Sequence, residues 1–218
     1  APAAATAEWY LDNGFNGIPL YSPHAVTIPG AVDAWSRLLT DHGTKGFAEL
    51  LQPAIDYAEQ GYVVHGRIAQ AWSANAEKLS QDPTSARVFL PDGKALAEGD
   101  VHRQVMLAET MKTIVREGRD GFYTGPVAED MVTYLNSLGA LHTLDDFESH
   151  ETEYVTPIKG SYRGLDVYQV PPNNPGITAL LMLHVIEGFD LASLDPLSVE
   201  RFHLEAEVAR LAYNVRET

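Results

Sequence analysis

Between Thr156 and Ile186 the chain runs from a turn through a six-residue alternating stretch into a Pro/Asn/Gly elbow, then into ten residues that are apolar nearly all round. Leu165, Val167 and Gln169 alternate with Asp166, Tyr168 and Val170, the period-2 pattern of a strand, and the flanking Pro and Gly residues fix its ends. Pro171-Pro172-Asn173-Asn174-Pro175-Gly176 reads as turn chemistry. Ile177 to Ile186 has almost no polar face, so it is expected to form a helix buried inside a larger structure. It is about half the length a bilayer-spanning helix needs, and no membrane span is expected.

Upstream, the dominant period is helical. Ala3 to Leu11 is read as a short helix followed by loop. Val32, Trp35, Leu38 and Leu39 share a helical face that stops at His42-Gly43. Phe47, Leu50, Leu51, Ala54, Ile55 and Ala58 make a second face, which Pro53 must start or kink and which Gly61 closes. Ile68, Trp72, Ala76 and Leu79 form a third, followed by a turn-rich stretch from Asp82 to Gly99 around Pro91-Asp92-Gly93. A long helix is expected from Val101 to Gly118, and another through Ala128, Met131, Leu135 and Leu138. Thr143 and Asp146 have capping-box spacing ahead of a short helix at Leu144–His150. Leu204, Val208, Leu211 and Val215 mark a last amphipathic helix. The pattern divides the chain into a helical portion at about 29–150 and a strand–turn–helix portion at about 151–218.

At 218 residues and 45% hydrophobic content, the chain can bury a substantial core as one domain or two small ones. Its formal charge of -15 repels polyanions, and the densest basic set, Lys112, Arg116 and Arg119, is interrupted by Glu117 and Asp120, so no nucleic-acid partner is expected. The absence of cysteine removes disulfides, thiolate metal sites and cysteine nucleophiles. The acidic surface is of a soluble bacterial type and does not separate periplasm from cytoplasm. Because the chain opens on Ala1 without an initiating Met or a signal-like segment, it is expected to be a processed product or an excised piece.

No constellation of residues announces an active site. His203 and Glu207 stand at i, i+4 with Glu205 and Arg210 nearby, but they have no third ligand at short spacing, and Glu207 with Arg210 is more simply an ion pair; no metal or cofactor is expected. His142 and His150 flank Asp145, Asp146 and Glu148 near a turn, where such side chains are usually solvated. Asp145 and Asp146 read as cap and first-turn carboxylates. There is no Gly-x-Ser-x-Gly elbow and no phosphate-cradling glycine pattern. Trp35, Trp72 and the tyrosines read as core and edge aromatics.

A set of motifs in fixed order nevertheless carries a resemblance. It comprises Ile28-Pro29-Gly30-Ala31-Val32-Asp33-Ala34-Trp35; Leu51 to Val64; Gly99-Asp100 with Gln104, Leu107 and Ala108; Gly121-Phe122-Tyr123-Thr124-Gly125; Asp146-Phe147; Tyr162-Arg163-Gly164; Pro171-Pro172; and Glu205-Ala206. Together they resemble the large-subunit half of the gamma-glutamyltransferase family of N-terminal nucleophile hydrolases. The resemblance implies an α+β fold, a mainly helical piece with a few strands near 152–170, set within a four-layer αββα sandwich.

It also implies an inactive precursor that cleaves itself into a large and a small subunit, the new N-terminal Thr of the small subunit acting as nucleophile and, through its α-amine, as base. That Thr would lie downstream of Thr218, which is not itself the nucleophile. Family members place an Arg that pairs with the substrate α-carboxylate shortly before an Ala-Pro pair, and here the chain begins at Ala1-Pro2. No catalytic or substrate-binding role is therefore carried onto any residue, and the isolated chain is expected to be inactive. The implied partners are the small subunit and a small-molecule amide or gamma-glutamyl substrate. The elbow departs from the Pro-Pro-Pro-Ser-Ser-Gly-Gly of the transpeptidases and looks more like the acylase or amidohydrolase branch. A non-catalytic helical interaction module is the remaining alternative; a fragment, unlike such a module, is expected to self-associate through exposed apolar surface.

Overall fold

The computed structural model describes residues 1–216; Thr218, which the sequence reading separates from the nucleophile, lies outside the described residues. The chain clusters into two compact units, Ala1–Thr152 and Glu153–Thr218.

The first unit is helical. Helix α1 (Ala7–Asp12) starts where the Thr6 hydroxyl accepts from the Trp9 amide, later than the expected Ala3 because that cap sets the first turn. Helices α2 (Ala31–His42) and α3 (Phe47–Gln60) follow, and α3 begins at Phe47 and runs uninterrupted through Pro53, which neither starts nor ends it. Gly61 closes α3 at φ 91°, where a Cβ would stand 2.8 Å from the His102 carbonyl oxygen.

Three expectations change here, each for a local reason. The face from Ile68 to Leu79 is not one helix but α4 (Gly66–Ala74) and α5 (Ala76–Ser80). They part at Asn75, whose side-chain amide bonds back to the Ala71 carbonyl at 2.8 Å. The turn-rich stretch after Asp82 contains α6 (Pro83–Phe89), because Asp82 accepts from the Ser85 amide at 2.7 Å and Pro83 sits at the first helical position. Val101-His102 is not the start of a helix: it forms strand β2, antiparallel to β1 (Tyr62–Val63), with Tyr62 opposite His102. Tertiary pairing claims this backbone, so α7 (Val105–Glu117) starts only after the Gln104 amide has bonded the Ala58 carbonyl at 2.8 Å.

Helices α8 (Asp120–Tyr123), α9 (Gly125–Ser137) and α10 (Leu144–Glu148) complete the unit. The capping box is present as expected: Thr143 accepts from the Asp146 amide at 3.1 Å and Asp146 from the Thr143 amide at 2.9 Å. Val32, Ile114, Tyr123, Ala128, Val132 and Phe147 form the main core cluster. Ile55, Ala58 and Ala108 make a second cluster where α3 packs on α7. Burying Ile55 and Ile114 contributes roughly 2 kcal/mol each, against about 1 kcal/mol for a typical cap, so packing contributes more than capping to holding these helices in place.

The second unit is a hairpin and two helices. Strands β3 (Ile158–Tyr162) and β4 (Leu165–Gln169) pair antiparallel through Arg163-Gly164, both at positive φ, as a tight two-residue turn requires. Helix α11 (Gly176–Ile186) packs on β3, where a Cβ on Gly160 would come within 3.2 Å of the Leu180 side chain. Within this unit the apolar helix, packed against the hairpin and α12 (Val199–Arg216), is not fully buried: Thr178 is, but Ile177 keeps 38% exposure. The last helix keeps only the first half of its expected stripe: Leu204 is half-buried and Val208 buried, but Ala212 is inside in place of Leu211 and Val215, which are exposed. The face that meets α11 decides this, not the summed hydrophobicity of the helix. The structure is mainly helical with a few short strands.

Candidate functional site

The residues of two family-like motifs meet around a buried carboxylate. Asp33, on the first turn of α2, and Tyr123, at the end of α8, are drawn together with Arg119 and the segment after α10. The Tyr123 hydroxyl donates to the Pro29 carbonyl at 2.6 Å and accepts from the Asp33 amide at 3.1 Å. Arg119 Nε donates to Asp33 Oδ1 at 2.5 Å, and the Thr152 amide donates to Asp33 Oδ2 at 2.6 Å. A terminal guanidinium nitrogen of Arg119 also reaches the carbonyls of Glu148, at 3.0 Å, and His150. The guanidinium lies over the Tyr123 ring, 4.7 Å from its centroid, and the His150 ring stacks on Tyr123 at 5.7 Å. Gly30 makes room for this stack, since a Cβ there would stand 2.9 Å from His150 Nε2.

Burial works to raise the Asp33 pKa, but the hydrogen bonds from Thr152 and Arg119, with the guanidinium charge, outweigh it and hold the carboxyl below the usual range. Burial likewise pushes the Tyr123 phenol up, so its hydroxyl stays protonated. Both Asp33 oxygens and three Arg119 contacts are thus taken by the protein itself. The cluster braces the unit; its carboxylate is not placed to act as a base. A polar cavity of about 570 Å³, lined by Asp33, Ser36, Thr40, Arg119 and Glu151, lies beside it.

Asp146 does more than cap α10. Its second oxygen accepts from the Ala3 amide at 2.7 Å, tying the start of the chain to a residue 143 positions away. Burial acts to raise its pKa, and the bonds from Ala3 and Thr143 prevail and lower it.

The two histidines flanking this region are not solvated as expected. His142 is buried, neither ring nitrogen makes a well-formed hydrogen bond among the described residues, and its ring tilts against Phe147. His150 is half-buried on Tyr123. Their position next to a turn says nothing about what packs over the turn, which is why the sequence misplaced them. Burial lowers the pKa of His142 against the opposing pull of the Val26 backbone and Asp146, and burial likewise lowers that of His102, which is enclosed by Tyr62, Trp72 and Phe89.

A group whose folded pKa is depressed binds its proton first in the unfolded chain. Its contribution to stability is therefore complete above the ordinary histidine value of about 6.5 and is lost as pH falls through the folded value. The urea midpoint of the first unit is expected to fall as pH drops below about 6.5, before the carboxylates titrate, and His142→Leu should flatten that step. A midpoint constant down to the carboxylate range would refute it.

The other candidates stay apart. His203 is exposed on α12, while Glu207 pairs with Arg210 at 2.5 Å as read from the sequence. No group of three or more His, Asp or Glu that could hold a metal occurs among the described residues. Trp35 is 46% exposed and lines a surface groove with Leu38, Phe47 and Leu50, so it is an edge aromatic and not a core one. At the elbow Asn173 and Asn174 are exposed, and a Cβ on Gly176 would come within 2.7 Å of the Gln169 side chain, so Gly176 lets the chain turn tightly off β4. In the sequence Asp33, Arg119 and Tyr123 are legible only as pieces: two lie in motifs of the ordered set, and Arg119 stands in a loose basic stretch interrupted by Glu117 and Asp120.

The family model described as Gamma-glutamyltranspeptidase matches residues 1–218. The chain is 36% identical over 205 residues, 94% of its length, to the glutathione hydrolase-like YwrD proenzyme of Bacillus subtilis, covering 39% of that protein. It is 37% identical over 190 residues, 87% of its length, to the acylase ACY 1 proenzyme of a Pseudomonas strain, covering 34% of it. The crystal structure of Helicobacter pylori gamma-glutamyltranspeptidase superposes on all of this chain with a TM-score of 0.88 at 32% identity, over 64% of that chain. The chain therefore spans less than two fifths of the length of these two curated relatives.

Proposed function

Because the chain belongs to the gamma-glutamyltranspeptidase family, we propose that it is part of the large subunit of a self-cleaving proenzyme that hydrolyses or transfers gamma-glutamyl amide bonds of the glutathione type. The observation that carries this reading is the match along 1–218 together with relatives that are named proenzymes. In the proposed mechanism an N-terminal Thr on the small subunit, outside this chain, attacks the amide carbonyl while its own α-amine takes the proton. The acyl-enzyme then passes to water or to an amine. The whole enzyme would be an αββα sandwich, to which this chain contributes a helical portion at about 29–150 and the strand–turn–helix portion at about 151–218. On this reading the nucleophile lies outside 1–218 and no catalytic role is assigned to a residue of this chain; the two Asp33 oxygens, both taken by Arg119 and Thr152, support a structural role for that carboxylate. A match of this extent to a family of enzymes favours the catalytic reading over a stand-alone interaction module.

A second reading, an acylase or amidohydrolase without transferase activity, is favoured by the elbow Pro171-Pro172-Asn173-Asn174-Pro175-Gly176. Identities of 36% and 37% to a hydrolase-like and an acylase relative leave the elbow as the discriminating feature. The exposed Trp35, Leu38 and Leu50 side chains support the further reading that this stretch, cut from its precursor, self-associates.

Expression of the full-length gene should yield two fragments, the smaller beginning with Thr. The purified enzyme is then assayed on glutathione, with and without an acceptor amine, and on simple acyl amides. A precursor that stays uncleaved yet remains active would end the nucleophile proposal, and turnover of acyl amides alone would select the acylase reading.

A further inference from the structure

The sequence carries two Asn-Gly steps three residues apart, Asn13-Gly14 and Asn16-Gly17, in the segment that leaves α1. Asn-Gly is the pair in which a backbone amide most readily attacks the preceding side chain, because glycine has no Cβ to hinder the approach. Both asparagines are exposed, so solvent access does not separate them. Hydrogen bonding does.

Asn13 is the C-cap of α1, with its side-chain amide donating to the Trp9 carbonyl at 2.8 Å and its backbone amide bonded to the last turn. The Gly14 amide, which would have to act as nucleophile, donates to the Leu11 carbonyl at 3.0 Å. Phe15 anchors the turn, its amide bonded to the Tyr10 carbonyl at 2.9 Å and its ring packed against Trp9, Tyr10 and His24. One residue further on, this support ends. Among the described residues neither the Asn16 side chain nor the Gly17 amide makes a hydrogen bond, and nothing lies within 4 Å of a Cβ built on Gly17.

We propose that Asn16 is a site of spontaneous deamidation and that Asn13 is protected from it by the helix cap. The deprotonated Gly17 amide nitrogen attacks Asn16 Cγ, the N–Cγ bond forms, and the Cγ–Nδ2 bond breaks with loss of ammonia. Water then opens the resulting succinimide at either carbonyl, leaving aspartate or isoaspartate at position 16 with no change in oxidation state. Either product adds one negative charge, and isoaspartate also lengthens the main chain by a methylene just outside the aromatic cluster of Trp9, Tyr10, Phe15 and His24. The same attack at Asn13 must first break the side-chain bond to Trp9 and the Gly14 bond to Leu11. Two such bonds slow it by about tenfold or more.

Full-length protein is aged in mildly alkaline buffer, and fragmentation mass spectrometry with isoaspartyl methyltransferase labelling locates and counts converted sites. Asn16 should convert at least about tenfold faster than Asn13 in the folded protein, and urea should bring the two rates together. Gly17→Ala should suppress conversion at position 16 without loss of stability, since Gly17 is not at positive φ and has open space for a methyl group. Equal rates at the two sites in the folded protein, or an Asn16 that converts only when unfolded, would overturn the assignment.

Discussion

Arg119→Met is expected to destabilise the first unit by about 3 kcal/mol, more than a hundredfold in its folding equilibrium. The methionine keeps the apolar stem but leaves Asp33, whose side chain is only 10% exposed, with a single strong donor in Thr152. It also abandons the carbonyls of Glu148 and His150. The lower end of the range for breaking a buried pair applies because the Arg119 side chain retains 23% exposure and water can partly replace it. Urea unfolding of the full-length protein, with hydrogen exchange followed over residues 30–40 and 146–152, reads the loss and its location. Asp33→Leu combined with Arg119→Met should recover part of it, since removing both charges costs less than stranding one. A loss below about 1 kcal/mol for the single variant would make this an ordinary surface pair, and the brace would be abandoned.

Tyr123→Phe tests the same brace from its uncharged side, with an expected loss of about 2 kcal/mol. The ring is fully buried and remains, so packing changes little. What disappears is one oxygen that donates to the half-buried Pro29 carbonyl and accepts from the Asp33 amide, so the amide is left buried without a partner and the carbonyl keeps only what water can reach. Each orphaned buried group costs about 1–3 kcal/mol, which outweighs any gain from burying a less polar ring. Tyr134→Phe is the control: its hydroxyl bonds Asp82 at an exposed position, where water can substitute, and a change within about 1 kcal/mol is expected. If the two variants lose the same stability, the hydroxyl of Tyr123 is not bracing Pro29 and Asp33.

Much of the helical part was legible because its signals are short-range. The Thr143–Asp146 box, the helical period of α3 and the glycine stops at 43 and 61 all act within a few residues and are present in the structure, although of the α3 face Leu50 and Ala54 stay exposed. Asp82 shows the limit of such reading: the same local chemistry that resembled a loop start caps α6, and only the direction of the chain after Pro83 separates the two. At the candidate site the Ile28–Trp35 and Gly121–Gly125 motifs could be seen, but not that they meet. The Asp33–Arg119 pair spans 86 positions and the Asp33–Thr152 bond spans 119, and no periodicity records either.

Legible in the sequence were the helix-rich α+β character, the absence of thiol chemistry in these 218 residues, the Thr143–Asp146 cap and the glycine stops, and, through the order of its motifs, the family. Those properties follow from backbone propensity and side-chain bonds closed within one or two turns of chain. The tertiary arrangement sets Arg119 against Asp33, buries His142 with no well-formed hydrogen bond among the described residues, pairs Val101-His102 as a strand, and turns Ala212 inward beside Val208 while Leu211 and Val215 stay exposed. In each case the outcome depends on which distant group arrives to exclude water. Burial, and with it the strength of every charge and hydrogen bond in the site, is a property of that arrival and not of the local sequence.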